Sequence, residues 1–292
     1  MKRREFLRAA GAGPAAALLL GGGDCRPSGR RPPNFVFILV DDLGWRDVGF
    51  MGSRFYETPN IDRLAAGGMV FTQAYAAAAV CSPTRASILT GRYPVRLGIT
   101  DWIRARRDGG VIGPDRKNPS GFDENPGLAL MTPRNALFME LGEVTTAEML
   151  KAAGYATGHV GKWHLGPAEF LPGGQGFDSN VGGADIGHTN SYFDPYLNEG
   201  APIPTLAPRR EGEFMSDREA DEACAFIRAN KARPFFLNLC HYAVHVPLQA
   251  KEDDVARFKD KPGDGGQKDP VYAAMIKSVD DSVGRVTDVL EE

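Results

Sequence analysis

Cysteine is scarce, charge is nearly balanced, and long apolar runs are missing. The four cysteines (Cys25, Cys81, Cys224 and Cys240) lack the paired spacing of a zinc site and are too few to staple a small disulfide fold. A formal net charge of −3 supplies no basic surface, which argues against a nucleic-acid binder or a protein drawn to anionic membranes. The stretch from Ala9 to Leu20 carries glycines and a proline and, at 12 residues, is too short to span a bilayer. What remains is an ordinary globular composition, 42% hydrophobic and 24% charged over 292 residues. That is enough chain for one large α/β domain or two small ones.

The amino terminus reads as an address. Arg3-Arg4 followed by Phe6-Leu7 and the weakly apolar run match a twin-arginine export signal over residues 1–25. Export to the periplasm or the extracellular space is therefore expected. Cys25 is a candidate lipid anchor, though Asp24 before it suits a lipoprotein cleavage site poorly. Residues 26–33 form a Pro/Arg/Gly/Ser linker, and 34–292 are expected to form the catalytic domain.

The apolar run Asn34–Val40 predicts a strand buried on both faces of a parallel sheet. Thr58-Pro59-Asn60 opens a short helix, Ile61 to Ala66, stopped by Gly67-Gly68. Met69 to Tyr75 reads as a further strand, and residues 104–136 as a surface insertion. Thr145 starts a helix that Gly154 ends, with the strand Tyr155–Val160 behind it. Ser216 is placed as the cap of a helix running to Asn230, with Asp217 and Glu219 suiting its dipole. The strand Pro234–Leu239 follows. From Asp269, Met275, Ile276, Val279, Val283 and Val286 mark an amphipathic helix. Alternating strands and helices predict an α/β fold with a mixed, mostly parallel sheet covered on both faces. The last helix should lead into more chain, so the sequence is expected to end inside the domain.

Asp41-Asp42 directly follows the first strand, where ligands gather in open α/β sheets. Two adjacent carboxylates there fit a hard divalent cation, Ca²⁺ or Mg²⁺, or else a solvent-facing turn. Cys81-Ser82-Pro83-Thr84-Arg85 places a cysteine ahead of a proline suited to a first helical turn, whose N–H groups can face an anion. The plain alternative is a buried structural cysteine. Lys162 and His164, in Gly161-Lys162-Trp163-His164-Leu165-Gly166, put a charge and a proton donor at a strand end, or else sit on an exposed loop. His241 and His245 follow the next strand, and a histidine there can protonate a leaving group near neutral pH. His159 and His241 read as structural, and Cys224 and Cys240 as small buried apolar residues.

Cys81-x-Pro83-x-Arg85, continued by Ala86-Ser-Ile-Leu-Thr-Gly91-Arg92, and Gly158-x-x-Gly161-Lys-Trp-His-Leu-Gly166 resemble the two signatures of the type I sulfatases, within the alkaline-phosphatase-like superfamily. The resemblance implies a sulfuric ester hydrolase acting on sulfated carbohydrate or aryl esters. Cys81 would be oxidised to formylglycine by a maturation enzyme that reads the unfolded chain, before export through the twin-arginine machinery. It further implies a metal held by Asp41, Asp42 and the modified Cys81. Arg85 would hold the hydrated aldehyde or the metal-site carboxylates. Lys162 would contact sulfate, His164 would orient the formylglycine hydroxyl, and His245, two residues before Pro247, would be the general acid. His188 and Asn190, beyond the Gly176-Phe177-Asp178 and Gly182-Gly183 loop, would face substrate.

Family members carry a further Asp-Asn metal pair and a second lysine, which this sequence lacks. The resemblance thus implies weak metal binding and little turnover by this chain. A phosphoryl-transfer relative and a non-catalytic remnant are the competing expectations.

Overall fold

Phe35–Val40 (β1), Ala156–Gly161 (β2), Ser179–Val181 (β3) and Phe235–His241 (β4) form one parallel sheet in the order β1-β4-β2-β3. The computed structural model describes residues 31–103, 117–124, 127, 129–198, 200–203, 205–206 and 210–292, and residues 34–292 form a single unit. The expected export signal, Cys25 and the first part of the 104–136 insertion lie outside the described residues.

Period-2 alternation along β4 sends side chains into two different cores. Phe235, Leu237 and Leu239 pack with Ala223, Cys224 and Ile227 of Met215–Asn230 (here α4) and with Val286 of Pro270–Glu291 (here α6). Phe236 points the other way, toward Ala86 and Leu89 of Cys81–Thr90 (α2) and Ala147 of Thr146–Ala152 (α3). The sheet is therefore covered on both faces, as expected, and the strands' carboxyl ends are left to carry the site. No helix among the described residues is long and apolar enough to cross a membrane.

Helix ends follow the sequence closely where capping decides them. Thr145 and Glu148 close a capping box on α3. Asp269 caps α6, accepting from the Val271 and Tyr272 N–H groups. The helix Pro59–Gly67 (α1) has no side-chain cap of its own. Asp280 of α6 supplies one across the chain, accepting from the Asn60 and Ile61 N–H groups at 3.2 and 2.8 Å.

Three expectations are corrected. β1 is parallel but lies at the sheet edge, so Phe35 and Phe37 are exposed while Val36 and Ile38 pack inward. Met69–Tyr75 forms no strand: no described strand runs beside it, and without a ladder partner the segment runs as an exposed loop. Ser216 does not cap α4. The helix starts two residues earlier, capped at Phe214, because Phe214 and Met215 are drawn into the core, leaving the buried Ser216 hydroxyl without a hydrogen bond among the described residues.

His159 is structural, as expected. Its Nε2 lies 3.0 Å from Gly161 O, which can only accept, so Nε2 carries the proton and Nδ1 accepts from Asn238 Nδ2 at 3.0 Å. Burial above all, with help from the Arg85 charge and against the Gly161 bond, pushes its pKa down to about 3. The unfolded chain takes up this proton near pH 6.5 and the native state does not until about 3, so stability falls as pH drops through that window. Urea midpoints between pH 7 and 4 should show a slope shallower by up to about 1.4 kcal/mol per pH unit in His159→Gln. Equal slopes in the two proteins would contradict this assignment.

Candidate active site

The site is built where β1, β2 and β4 end. Beyond Val40 the β1–β4 ladder continues for one more residue, with Asp41 N donating to Ala243 O (3.0 Å) and Val244 N donating to Asp41 O (2.8 Å). Asp42 then turns into the left-handed region at φ 60°, which aspartate tolerates better than most residues. The two carboxylates consequently part company. Asp41 faces inward and is buried, while Asp42 faces out.

Gly161 ends β2 with φ +93°, and a Cβ there would lie 2.0 Å from Cys240 O. Only glycine allows the close approach through which Lys162 N donates to Cys240 O at 2.7 Å. The Lys162 side chain is fully buried and its Nζ donates to Asp41 Oδ2. The other Asp41 oxygen accepts from Arg85 Nη2 at 2.9 Å, and Arg85 Nη1 donates to Lys162 O at 2.8 Å. Burial alone would raise the Asp41 pKa, but Lys162 and Arg85 outweigh it and hold the carboxyl at about 2. Burial is also the largest influence on the Lys162 ammonium and pulls it down, against Asp41. With two cations to one carboxylate, this buried trio favours an anion beside it.

Cys81 is the first residue of α2, one turn ahead of Arg85, and Val80 before it gives no side-chain cap. The N–H groups of that first turn are thus free of a capping side chain. Cys81 Sγ lies 3.2 Å from His164 Nδ1. His164 Nε2 is 2.9 Å from Ile103 O, an acceptor only, so Nε2 holds the proton and Nδ1 presents a lone pair to residue 81. Burial first, then the Lys162 and Arg85 charges, push the His164 pKa down to about 3 and keep the ring neutral. Ser82 locks the pair together: its hydroxyl donates to His164 O at 2.9 Å and accepts from Ile103 N at 3.0 Å.

His245 stands on the outer side. Its Nδ1 is 2.7 Å from Val246 O, which fixes the proton on Nδ1, and its Nε2 lies 3.6 Å from Asp42 Oδ2. His188 stacks on the ring at 5.8 Å between centroids. Asp41, Asp42 and His245 bring ligand atoms within 4.8 Å of one another. A carboxylate has about four lone-pair positions, so Asp41 can accept from Arg85 and Lys162 and still face a cation. The donor set fits a divalent ion. The Cys81 thiol is not part of this trio and faces His164 instead.

The structure thus gathers Asp41, Cys81, Arg85, Lys162 and His164 in one cluster, with Asp42, His245 and His188 at its mouth. Asn190 is exposed, its N–H donating to Leu197 O. Phe177 is spent on the core and Asp178 on Thr157 and Lys151, so the 176–178 segment braces the fold. His241 is buried and satisfied, as expected. Glu219 differs from expectation: it does not serve the helix dipole but turns inward onto His241. Its spacing from Ala223 and Ile227, at i+4 and i+8 on the apolar face, was the available signal.

The sequence profile of the sulfatase family matches residues 33–292. N-acetylgalactosamine-6-sulfatase of Sus scrofa is 33% identical over 289 residues, covering 90% of this chain and 47% of the relative. Arylsulfatase A of Homo sapiens is 36% identical over 246 residues, covering 74% of this chain and 42% of the relative. The crystal structure of Ps i-CgsB in complex with k-i-k-neocarrahexaose superposes with a TM-score of 0.69 at 30% identity, covering 89% of this chain and 55% of that one. The chain spans about half the length of the curated relatives it matches. A profile match over nearly the whole chain, relatives above 30% identity and a shared fold agree: this chain belongs to the sulfatase family.

Proposed function

We propose that this protein works as a sulfuric ester hydrolase on sulfated carbohydrate, with residue 81 as the nucleophile in its formylglycine form. The observation that carries the reading is the placement of Cys81. It sits at a helix start, 3.2 Å from a neutral His164 acceptor and beside the Arg85–Asp41–Lys162 trio. The names of the relatives support a sulfated amino sugar or aryl ester, and the carbohydrate bound in the Ps i-CgsB structure supports a glycan.

A formylglycine hydrate supplies two hydroxyls on one carbon, one to attack sulfur and one whose deprotonation releases sulfate. A bound divalent ion supplies charge that lowers a hydroxyl's pKa and polarises the sulfate oxygens. Everything else falls to the chain. His164 Nδ1, already committed as an acceptor, takes the hydrogen bond of one hydroxyl on residue 81 and orients it. Lys162 and Arg85 offset charge that develops on the sulfate oxygens, and the first-turn N–H groups of α2 add to them. His245 is placed to pass a proton to the departing alcohol from its outer nitrogen when the ring is doubly protonated, a role in which it does not ligate the cation. Asp41 and Asp42 are the cation's carboxylates; Ca²⁺ and Mg²⁺ both suit oxygen donors of this kind. His188 flanks His245 on the substrate side.

Burial also bears on maturation. Ser82, Pro83 and Arg85 are buried in the folded protein, so a modifying enzyme that reads this motif meets it in the unfolded chain. Oxidation therefore precedes twin-arginine export, which carries folded proteins to the periplasm or beyond.

Mass spectrometry of the peptide holding Cys81, from the protein made in its native host, should show a residue lighter by about 18 Da in the bare aldehyde form. Finding only the unmodified thiol would refute the nucleophile. Cation binding is checked separately. With two facing carboxylates where Ca²⁺ takes six to eight oxygens, calorimetric titration should give Kd of about 10⁻⁴–10⁻³ M. Asp42→Asn should weaken binding by about 10-fold, and an unchanged affinity would remove Asp42 from the site.

A further inference from the structure

Behind the site lies a second constellation that the proposed chemistry leaves unused. Glu219 of α4, His241 at the end of β4 and Ser282 of α6 form a line. Glu219 Oε2 is 2.5 Å from His241 Nδ1, and His241 Nε2 is 3.1 Å from Ser282 Oγ. Carboxylate, imidazole and hydroxyl in this order make the arrangement of a hydrolytic triad. All three residues, however, are no more than 1% exposed, so no substrate can reach the hydroxyl. A nucleophilic role is excluded by access.

What these residues do hold is the backbone that carries the site. The second Glu219 oxygen accepts from Tyr242 N at 3.2 Å. His241 stands opposite Val40 in the β1–β4 register, the residue before Asp41. The carbonyls and amides on either side of this grip are the ones that fix the site residues. Cys240 O accepts from Lys162 N at 2.7 Å, Ala243 O accepts from Asp41 N at 3.0 Å, and Val244 N donates to Asp41 O at 2.8 Å. A methyl group at Gly161 would lie 3.0 Å from Glu219 Oε1, so the carboxylate also lies directly against the turn into Lys162. On the outer side the Tyr192 hydroxyl is shared between Tyr242 O (2.8 Å) and His245 O (2.7 Å). Residues 240–245 are one braced segment, and Asp41, Lys162 and His245 all hang from it.

A buried carboxylate is expensive to desolvate, and an apolar side chain on this face of α4 would pack against β4 without that cost. We infer that Glu219 is a positioning residue, acting through His241 and Ser282 to set the 240–245 backbone and, through it, the place of the Asp41 carboxylate. The inference rests on the reading of Asp41 and Asp42 as cation ligands. It also gives Glu219→Gln a specific outcome. The amide oxygen can accept from Tyr242 N while the amide NH₂ donates to Nδ1, and the imidazole then donates from Nε2 to Ser282 Oγ. The geometry survives with the ring tautomer reversed.

The test compares divalent-cation affinity by calorimetry with thermal unfolding in the intact chain. Asp280→Ala, which cuts the anchor of α1, serves as a control of comparable structural damage away from the site. Glu219→Ala should lose at least about 10-fold in Ca²⁺ affinity, Glu219→Gln should stay within about 3-fold of the parent, and Asp280→Ala should leave affinity unchanged. If Glu219→Ala binds no worse than Asp280→Ala at an equal drop in melting temperature, the positioning role is wrong. If the parent protein binds no divalent cation, the cation-site reading fails instead, and amide exchange decides the positioning role. Exchange at Asp41, Lys162 and Val244 should then accelerate about 10-fold or more in Glu219→Ala, with the α1 amides unchanged. Undisturbed protection at those three amides would overturn the inference.

Discussion

The buried Asp41 carboxylate, held by Arg85 on one oxygen and Lys162 on the other, is the interaction on which the rest of the site depends. Three ionised groups in a desolvated pocket are tolerable only because each compensates another. Arg85 comes from the helix that Cys81 begins, Lys162 from the end of β2, and Asp41 from the end of β1. One electrostatic knot therefore ties the helix that Cys81 begins to the sheet.

The parallel sheet explains why these groups meet at all. All four strands deliver their carboxyl ends to the same edge, so residues more than a hundred positions apart arrive together without any local motif joining them. Histidines are then sorted by environment. His159 and His164 are buried and neutral, with tautomers set by carbonyl partners, whereas His245 stays partly exposed at the mouth. The same side chain thereby serves as a packing group at His159 and a fixed acceptor at His164.

Much of this was legible in the sequence because local chemistry dictates it. The helix beginning at Thr145, the helix beginning after Asp269 and the apolar stripe of that last helix appeared where short-range rules placed them. Cys81, Lys162 and His164 were legible because their segments resemble the two sulfatase signatures. What escaped depended on partners remote in sequence. Met69–Tyr75 has strand composition but no strand beside it, and composition cannot report a missing neighbour. Glu219 lay at a helix start where an acid usually serves the dipole, and its true partner, His241, comes 22 residues later on another element. Asp280, an acid inside an apolar stripe, likewise earns its position from Asn60 and Ile61 on the far side of the chain.

The integrity of the site turns on whether Asp41 and Lys162 act as one buried unit. A double-mutant cycle of Asp41→Asn, Lys162→Met and the double variant, read by urea unfolding, measures this directly. Removing either charge alone should cost about 3–5 kcal/mol, because its partner is left uncompensated in the core. The double variant should recover a large part of that loss, giving a coupling energy above about 2 kcal/mol. Single-variant costs that simply add, to within about 0.5 kcal/mol, would show that the two charges do not depend on each other and would contradict the account.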